Sequence, residues 1–271
     1  MSLVQALSLR HPPLALYYAP EMPPEAKSMK SGGTSWGCAM FLLGPALEGK
    51  TVAFSLETCH CPGASQGLGL ADRNDNAFPG GRETFARFLS SGNEHYEEGR
   101  MRGQKMAENG AAPDAVEEFL KGEGFKKNPE LADDFLSGLP KAPLKGPVVI
   151  LEPLSKVKPE TAPEAVIVLA DAMQLSALVV LANYARRGVD NVRIPFGSGC
   201  QSIGLFPMGE AAGEAPKAVV GLTDISARLY LKKLLGRDLL SFAMPWSLYL
   251  EMENNVDESF LTRHAWLKLN E

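Results

Sequence analysis

Residues 165–188 read AVIVLADAMQLSALVVLANYARRG, and this stretch decides the fold class. Its first five residues are apolar and mostly β-branched, which is typical of a buried strand. Asp171 stands where a helix N-cap belongs, and the apolar residues after it recur at helical spacing. Gly188 follows two arginines, as expected just beyond the end of a helix. The stretch therefore predicts a strand joined directly to a helix.

Short apolar runs on both sides of this unit predict further strands. They lie at residues 14–19, 51–56, 147–151, 217–221 and 239–244. Residues 82–139 differ, because charges are frequent, β-branched residues are scarce, and Gly or Pro recurs between short helical patterns. We therefore expect an α+β (mixed α/β) fold in one domain spanning residues 1–271. It should have a central mixed sheet, flanking helices and a helical insertion at 82–139.

Composition excludes several classes of protein. The chain has 271 residues, of which 45% are hydrophobic and 22% charged, the ordinary globular mixture. A formal net charge of -5 gives no overall basic field for nucleic acid. The most apolar stretch, 165–182, is interrupted by Asp171 and Gln174, so we expect no membrane span. Residues 1–10 lack a secretory pattern, which predicts a cytoplasmic protein with thiols kept reduced unless a metal holds them.

The four cysteines carry the strongest chemical signal: Cys38, Cys59, Cys61 and Cys200. Each lies near the predicted end of a strand or start of a helix, where free backbone N–H groups stabilise thiolates and cluster sulfides. Four thiolates suit either zinc or a [4Fe–4S] cluster. Only one residue separates Cys59 from Cys61, and the other two are isolated, so the spacing does not match a zinc finger. Buried, inert thiols are the alternative.

Glycines stand beside three of these cysteines. Cys200 belongs to the run FGSGCQSIG at 196–204, a glycine-rich turn expected to lead into a helix. Gly63, Gly197 and Gly199 are therefore candidate cofactor-binding residues, because glycine lets the backbone approach a bulky group closely. The turn could instead bind phosphate, but it lacks the Lys-Ser/Thr pair of a P-loop. Cys200 as a lone nucleophile would need a histidine base, and no sequence feature marks one.

Several segments resemble one known family in their order and spacing. The matching segments are Gly37-Cys38-Ala39, Cys61-Pro62-Gly63-Ala64, Met173-Gln174, Gly199-Cys200, Met244-Pro245 and Glu258-Ser259-Phe260-Leu261. Over most of its length the chain resembles the archaeal and bacterial "domain of unknown function 169" proteins. This resemblance implies an anaerobic setting and an iron–sulfur cluster, so it indicates a site but not a reaction.

The family pattern matches Cys38, Cys61 and Cys200 best. Many relatives carry a further cysteine pair after the third of these, whereas residues 204–209 contain none here. Cys59 could replace the missing ligand, and His60 is another candidate. Four thiolates would close the cluster for electron transfer, whereas three would leave one iron open to act as a Lewis acid.

The sequence thus predicts a [4Fe–4S] protein with a redox role, either electron transfer or reduction of a small molecule. The metal ligands would be Cys38, Cys61, Cys200 and Cys59. Two alternatives remain open: a non-redox enzyme, such as a lyase or desulfurase with an open iron, and a zinc-binding or structural module. The expected partners are a redox protein or a small-molecule substrate, and the apolar terminal helices could support a homo-oligomer.

Overall fold

Seven strands form one mixed sheet in the computed structural model, which describes residues 1–29, 38–59, 61–72 and 78–270. The strands are β1 (Leu14–Ala19), β2 (Val52–Ser55), β3 (Val148–Pro153), β4 (Ala165–Ala170), β5 (Val192–Arg193), β6 (Ala218–Gly221) and β7 (Leu240–Pro245). Their order in the sheet is β2-β3-β1-β4-β7-β6-β5. All neighbours are antiparallel except β5 and β6, which are parallel. The predicted α+β class with a central mixed sheet is confirmed.

Helices flank the sheet on both faces. They are α1 (Leu3–Ala6), α2 (Leu43–Leu47), α3 (Pro62–Gly67), α4 (Gly81–Phe88), α5 (Glu97–Glu108), α6 (Pro113–Lys121), α7 (Pro129–Ser137), α8 (Ala172–Tyr184), α9 (Phe206–Glu210), α10 (Ile225–Tyr230), α11 (Lys232–Leu235), α12 (Trp246–Asn255) and α13 (His264–Leu269). A 3-10 turn precedes α2 at Ala39–Leu42, and a π-helix precedes α9 at Gln201–Leu205. No helix in the described ranges is long and apolar enough to cross a bilayer.

The sheet separates two apolar cores because side chains alternate between its faces. Every residue of β4 is buried, with Ile167 and Leu169 in one core and Val166 and Val168 in the other. Helices α8 and α12 cover the second core. Segments that carry cysteines cover the first core, so the candidate site lies on that face of the sheet.

The predicted strand–helix unit is confirmed. The side chain of Asp171 accepts a hydrogen bond from the Gln174 N–H at 2.9 Å, and the Gln174 side chain accepts one from the Asp171 N–H at 3.0 Å. This reciprocal pair is a capping box, and it defines where α8 begins. The Gln174 amide also donates to the carbonyls of Leu7 and Ser8, which ties the N-terminal segment to α8.

The segment predicted as a helical insertion contains α4, α5, α6 and α7. These helices have a small aromatic core of their own, formed by Phe78, Phe88 and Phe119. The buried Asn93 amide holds two of them together, since it donates to the carbonyls of Thr84 and Phe119, each at 3.1 Å. The insertion lies between α3 and β3 in the chain, and its aromatic residues extend to the cysteines.

Candidate functional site

Three cysteines from distant parts of the chain line one cavity. Cys38, Cys61 and Cys200 all face a space of about 260 Å³ on the sheet face described above. Each occupies the N-cap position of a short helical segment: the 3-10 turn, α3 and the π-helix respectively. The sequence predicts that the four cysteines meet, and the three that match the family pattern are the three that line the cavity.

Two glycines bring Cys61 and Cys200 together. Helix α3, which follows Cys61, packs against the π-helix that follows Cys200. A Cβ atom on Gly67 would lie 2.8 Å from the Cys200 Sγ atom, and one on Gly204 would lie 2.3 Å from the Gly67 carbonyl oxygen. The two backbones approach this closely only because neither residue carries a side chain.

A third glycine brings Cys200 close to the Cys38 segment. A Cβ atom on Gly199 would lie 3.0 Å from the Ala227 Cβ atom and 3.3 Å from the Met40 Cγ atom. Met40 is two residues beyond Cys38, and its backbone hydrogen bond to the Cys38 thiol offsets only part of the rise in pKa that burial causes there. The close contact at Gly199 therefore positions the Cys200 turn against both α10 and the 3-10 turn.

Cys200 is the most enclosed of the three cavity thiols. Its Sγ atom donates to the Gly63 carbonyl at 3.4 Å and lies 3.1 Å from the Ser198 hydroxyl. The Ser198 N–H donates to the Gln201 side chain at 2.9 Å, which closes the turn. The thiol is thus held in one orientation by groups on its own turn and on α3.

Cys59 is close to the other cysteines but does not line the cavity. Strand β2 ends at Ser55, so it does not continue through Cys59 and Cys61. Cys59 is 2% exposed, and its Sγ atom lies 3.9 Å from the Cys61 carbonyl oxygen. The thiolates of Cys61 and Cys38 would both raise the pKa of Cys59, which places its sulfur within electrostatic reach of theirs.

Burial makes the thiols of Cys38, Cys59 and Cys200 weak acids in the protein without metal. Desolvation is the largest cause in each case. It raises the pKa of Cys38 and of Cys59 to about 12 and holds that of Cys200 well above its ordinary value. The Cys61 thiolate would add to the shift of each, so the cysteines form one electrostatic group. Cys38, Cys59 and Cys200 are therefore protonated at neutral pH unless a cation stabilises their thiolates.

Three acidic residues that were not expected from the sequence line the same cavity: Glu118, Glu123 and Asp224. Glu123 accepts a hydrogen bond from the Ser226 hydroxyl, and burial is the largest cause that raises the pKa of Glu123 to about 7. The Asp224 carboxylate accepts from the Gly199 N–H at 2.9 Å and also caps α10. The sequence signal for Asp224 was its N-cap position. Glu123 lies between two glycines with positive φ, Gly122 and Gly124, a turn pattern that carries no chemical meaning by itself.

The helical insertion forms the apolar walls of the cavity. Phe85 and Phe88 of α4 and Phe135 of α7 line it, together with Phe125 and Phe196 from connecting segments. Phe135 and Phe196 are in contact, with ring centroids 4.9 Å apart. These rings shield the cysteines from water, which raises the cost of an uncompensated charge in the cavity.

The other predicted site residues can also be placed. Gly63, Gly197 and Gly199 all line the cavity. A Cβ atom on Gly197 would lie 2.6 Å from the Phe206 ring, whereas one on Gly63 would meet only the Cys61 Sγ atom, at 3.9 Å. His60 lies outside the described residues. Within the described residues, no three His, Cys, Asp or Glu side chains are grouped so that they could hold a single metal ion.

Comparison with known proteins identifies a family but no activity. A family model described as "Uncharacterised ArCR" matches residues 2–255. Neither the curated proteins nor the solved structures include a significant match to this chain. The match covers nearly the whole sequence, including all four cysteines and the cavity they adjoin. The chain belongs to the domain of unknown function 169 family (DUF169).

Proposed function

We propose that this protein binds a [4Fe–4S] cluster through Cys38, Cys61 and Cys200 and acts on a small molecule held in the same cavity. One observation carries the proposal: thiols from three separate segments line one cavity. Inert structural cysteines have no need to share a cavity, because each can pack independently in a core.

The residues present fit such a cluster better than a single ion. A cubane presents its irons at separate corners, so its thiolate ligands lie farther apart than those of one tetrahedral zinc. Three thiols that line one cavity from separate segments are compatible with ligands spaced in this way. The glycine contacts at Gly67 and Gly199 supply the close backbone approach that enclosing such a group requires.

A bound cluster of this kind supplies one-electron transfer, or Lewis-acid activation where one iron lacks a thiolate. The protein contributes the surroundings. The phenylalanines of the insertion form apolar walls, and the Ser198 hydroxyl, 3.1 Å from the Cys200 Sγ atom, can donate to its thiolate. Glu123, whose pKa is raised to about 7, can hold or release a proton at the cavity near neutral pH. Reduction of a small molecule needs protons as well as electrons, so this carboxyl group suits that role.

Electron transfer through a closed, four-thiolate cluster is the second candidate. The observation that favours it is the position of Cys59, whose Sγ atom lies 3.9 Å from the Cys61 carbonyl oxygen. The side chain would have to turn from the Cys61 carbonyl towards the cavity to become a ligand. We favour the three-thiolate arrangement because Cys59 is buried outside the cavity lining.

Analysis of iron and acid-labile sulfide in anaerobically purified protein tests the proposal. We expect a brown protein that absorbs near ~400 nm and contains about four irons and four sulfides per chain. Replacing Cys38, Cys61 or Cys200 by Ala should each remove most of the iron, while circular dichroism should remain that of the folded protein. A colourless protein without sulfide, or one containing only zinc, would contradict the proposal.

A further inference from the structure

The cavity carries several acidic groups and no basic one among the residues described. Glu118, Glu123 and Asp224 line it together with the three cysteines, and no described lining residue is Lys, Arg or His. The three carboxyl groups come from α6, from the loop after α6, and from the N-cap of α10. Their convergence on one apolar space is therefore a property of the tertiary structure.

None of these three carboxyl groups forms an ion pair with a described residue. Glu123 accepts from the Ser226 hydroxyl, and Asp224 accepts only from backbone N–H groups. Arg82 pairs with Asp133, and Arg193 pairs with Glu210 at 2.6 Å. The negative charge in the cavity thus lacks compensation from the described part of the chain.

The negative groups are close enough to affect one another. Burial is the first cause that raises the pKa of Tyr230 to about 12, and Glu118, Cys38, Glu123 and Asp224 all add to it. Asp224 and Glu118 likewise add to the shift of Glu123, after burial. Ionised carboxylates crowded in an apolar space are unfavourable, so a cation bound among them would be stabilised by several charges at once.

The walls of the cavity also favour a cation with apolar substituents. Faces of aromatic rings attract cations, and rings take up alkyl groups that a hydrated metal ion lacks. The ring pair Phe135 and Phe196 already attracts one cation, since the Lys126 Nζ atom lies 5.2 Å and 4.7 Å from their respective centroids. Lys126 does not itself line the cavity, so that charge leaves the interior space free.

We propose that the cavity binds a small organic cation, an amine or quaternary ammonium compound, with its charge beside Glu118, Glu123 and Asp224 and its alkyl groups against the phenylalanines. A volume of about 260 Å³ limits the ligand to a small molecule. An organic cation would be the substrate class for the function proposed above. The inference rests on that function in one respect, because a cluster held by three thiolates would add negative charge beside the ligand.

Calorimetric titration of the anaerobically purified full-length protein tests this inference. The probes are choline chloride and its neutral isostere 3,3-dimethyl-1-butanol, with sodium chloride as the control for ionic strength. We expect choline to bind at least about 10-fold more tightly than the alcohol, because the two differ mainly in charge. Glu118→Gln should weaken choline binding by about 3-fold or more, whereas Glu117→Gln, on the same helix but outside the cavity, should leave it unchanged.

Equal binding of the two probes would overturn the inference. So would no detectable binding of choline up to about 10 mM, or equal effects of the two glutamate variants. Iron and sulfide are measured in the same preparation, which separates the two proposals. A protein that binds choline but lacks iron supports the cation site and contradicts the cluster. A protein that contains iron and sulfide but binds the two probes equally supports the cluster and contradicts the cation site.

Discussion

Gly67 of α3 faces the Cys200 thiol so closely that a Cβ atom at residue 67 would lie 2.8 Å from Sγ and 2.9 Å from the Gln201 backbone nitrogen. The Gly67 backbone and the Cys200 sulfur are therefore in contact at a position that any residue other than glycine would fill with its side chain. Because Cys61 precedes α3 and Cys200 precedes the π-helix, this contact sets how far apart two of the proposed ligands lie.

Gly67→Ala should destabilise the protein by about 1–3 kcal/mol, since the added methyl group overpacks a contact made largely with backbone. Chemical unfolding followed by circular dichroism measures the change. Gly63→Ala is the matched control on the same helix, where the nearest atom to the new Cβ would be 3.9 Å away. It should be neutral or slightly stabilising in the cluster-free protein, because Ala favours helix over Gly. If wild type and Gly67→Ala have the same free energy of unfolding, then α3 and the π-helix can move apart without loss of stability, which contradicts this prediction.

Cys59→Ala should retain the iron of the anaerobically purified protein, whereas Cys61→Ala should lose it. The reason is that Cys61 lines the cavity and Cys59 does not. Iron and sulfide analysis of both variants, prepared side by side, decides the result. Loss of iron from both variants would instead favour a closed cluster with four thiolates.

Glu123 should make the stability of the cluster-free protein depend on pH. Its pKa is raised from 4.5 to about 7, mainly by burial. Between those pH values the folded state binds more protons at this group than the unfolded state, so the stability falls as pH rises from about 4.5 to about 7. Above pH 7 the loss is complete and constant.

Glu123→Gln should therefore be more stable than wild type above about pH 7, by roughly 1–3 kcal/mol, and equal or slightly less stable near about pH 4.5. Unfolding by urea at a series of pH values measures both proteins. Glu97→Gln, at an exposed position in the first turn of α5, is the control and should follow the pH profile of wild type. Parallel profiles for wild type and Glu123→Gln would mean that the carboxyl group titrates normally.

Asp171→Ala should cost about 1 kcal/mol, because it removes the acceptor that caps α8. Thermal unfolding of the variant checks this. Asp134→Ala provides a comparison, since Asp134 is exposed in the middle of α7 and Ala is the better helix former there. That variant should be as stable as wild type or more so, and similar losses in both variants would argue against a capping role for Asp171.

Elements with a strong local pattern were predicted well. The strand predicted at 14–19 is β1 itself, and the strand predicted at 165–169 is extended only by Ala170. The two-residue strand β5 was not predicted, because Val192–Arg193 is too short to have a periodicity and pairs only with β6. The turn at 196–204 was expected to lead into a helix, but a π-helix comes first, held by close contacts at Gly67 and Gly221.

The sequence by itself determined the mixed α/β pattern, the helical insertion, the family, and the four sulfur atoms with glycines beside them. These properties depend on the order and spacing of neighbouring residues, which local patterns record. Only the tertiary structure decided that Cys38, Cys61 and Cys200 share a cavity, that Cys59 is buried beside it, and that Glu123 and Asp224 face the same space. Contacts between segments far apart in the chain depend on how strands pair across the sheet and on which backbones can touch, and no local pattern encodes a distance of that kind.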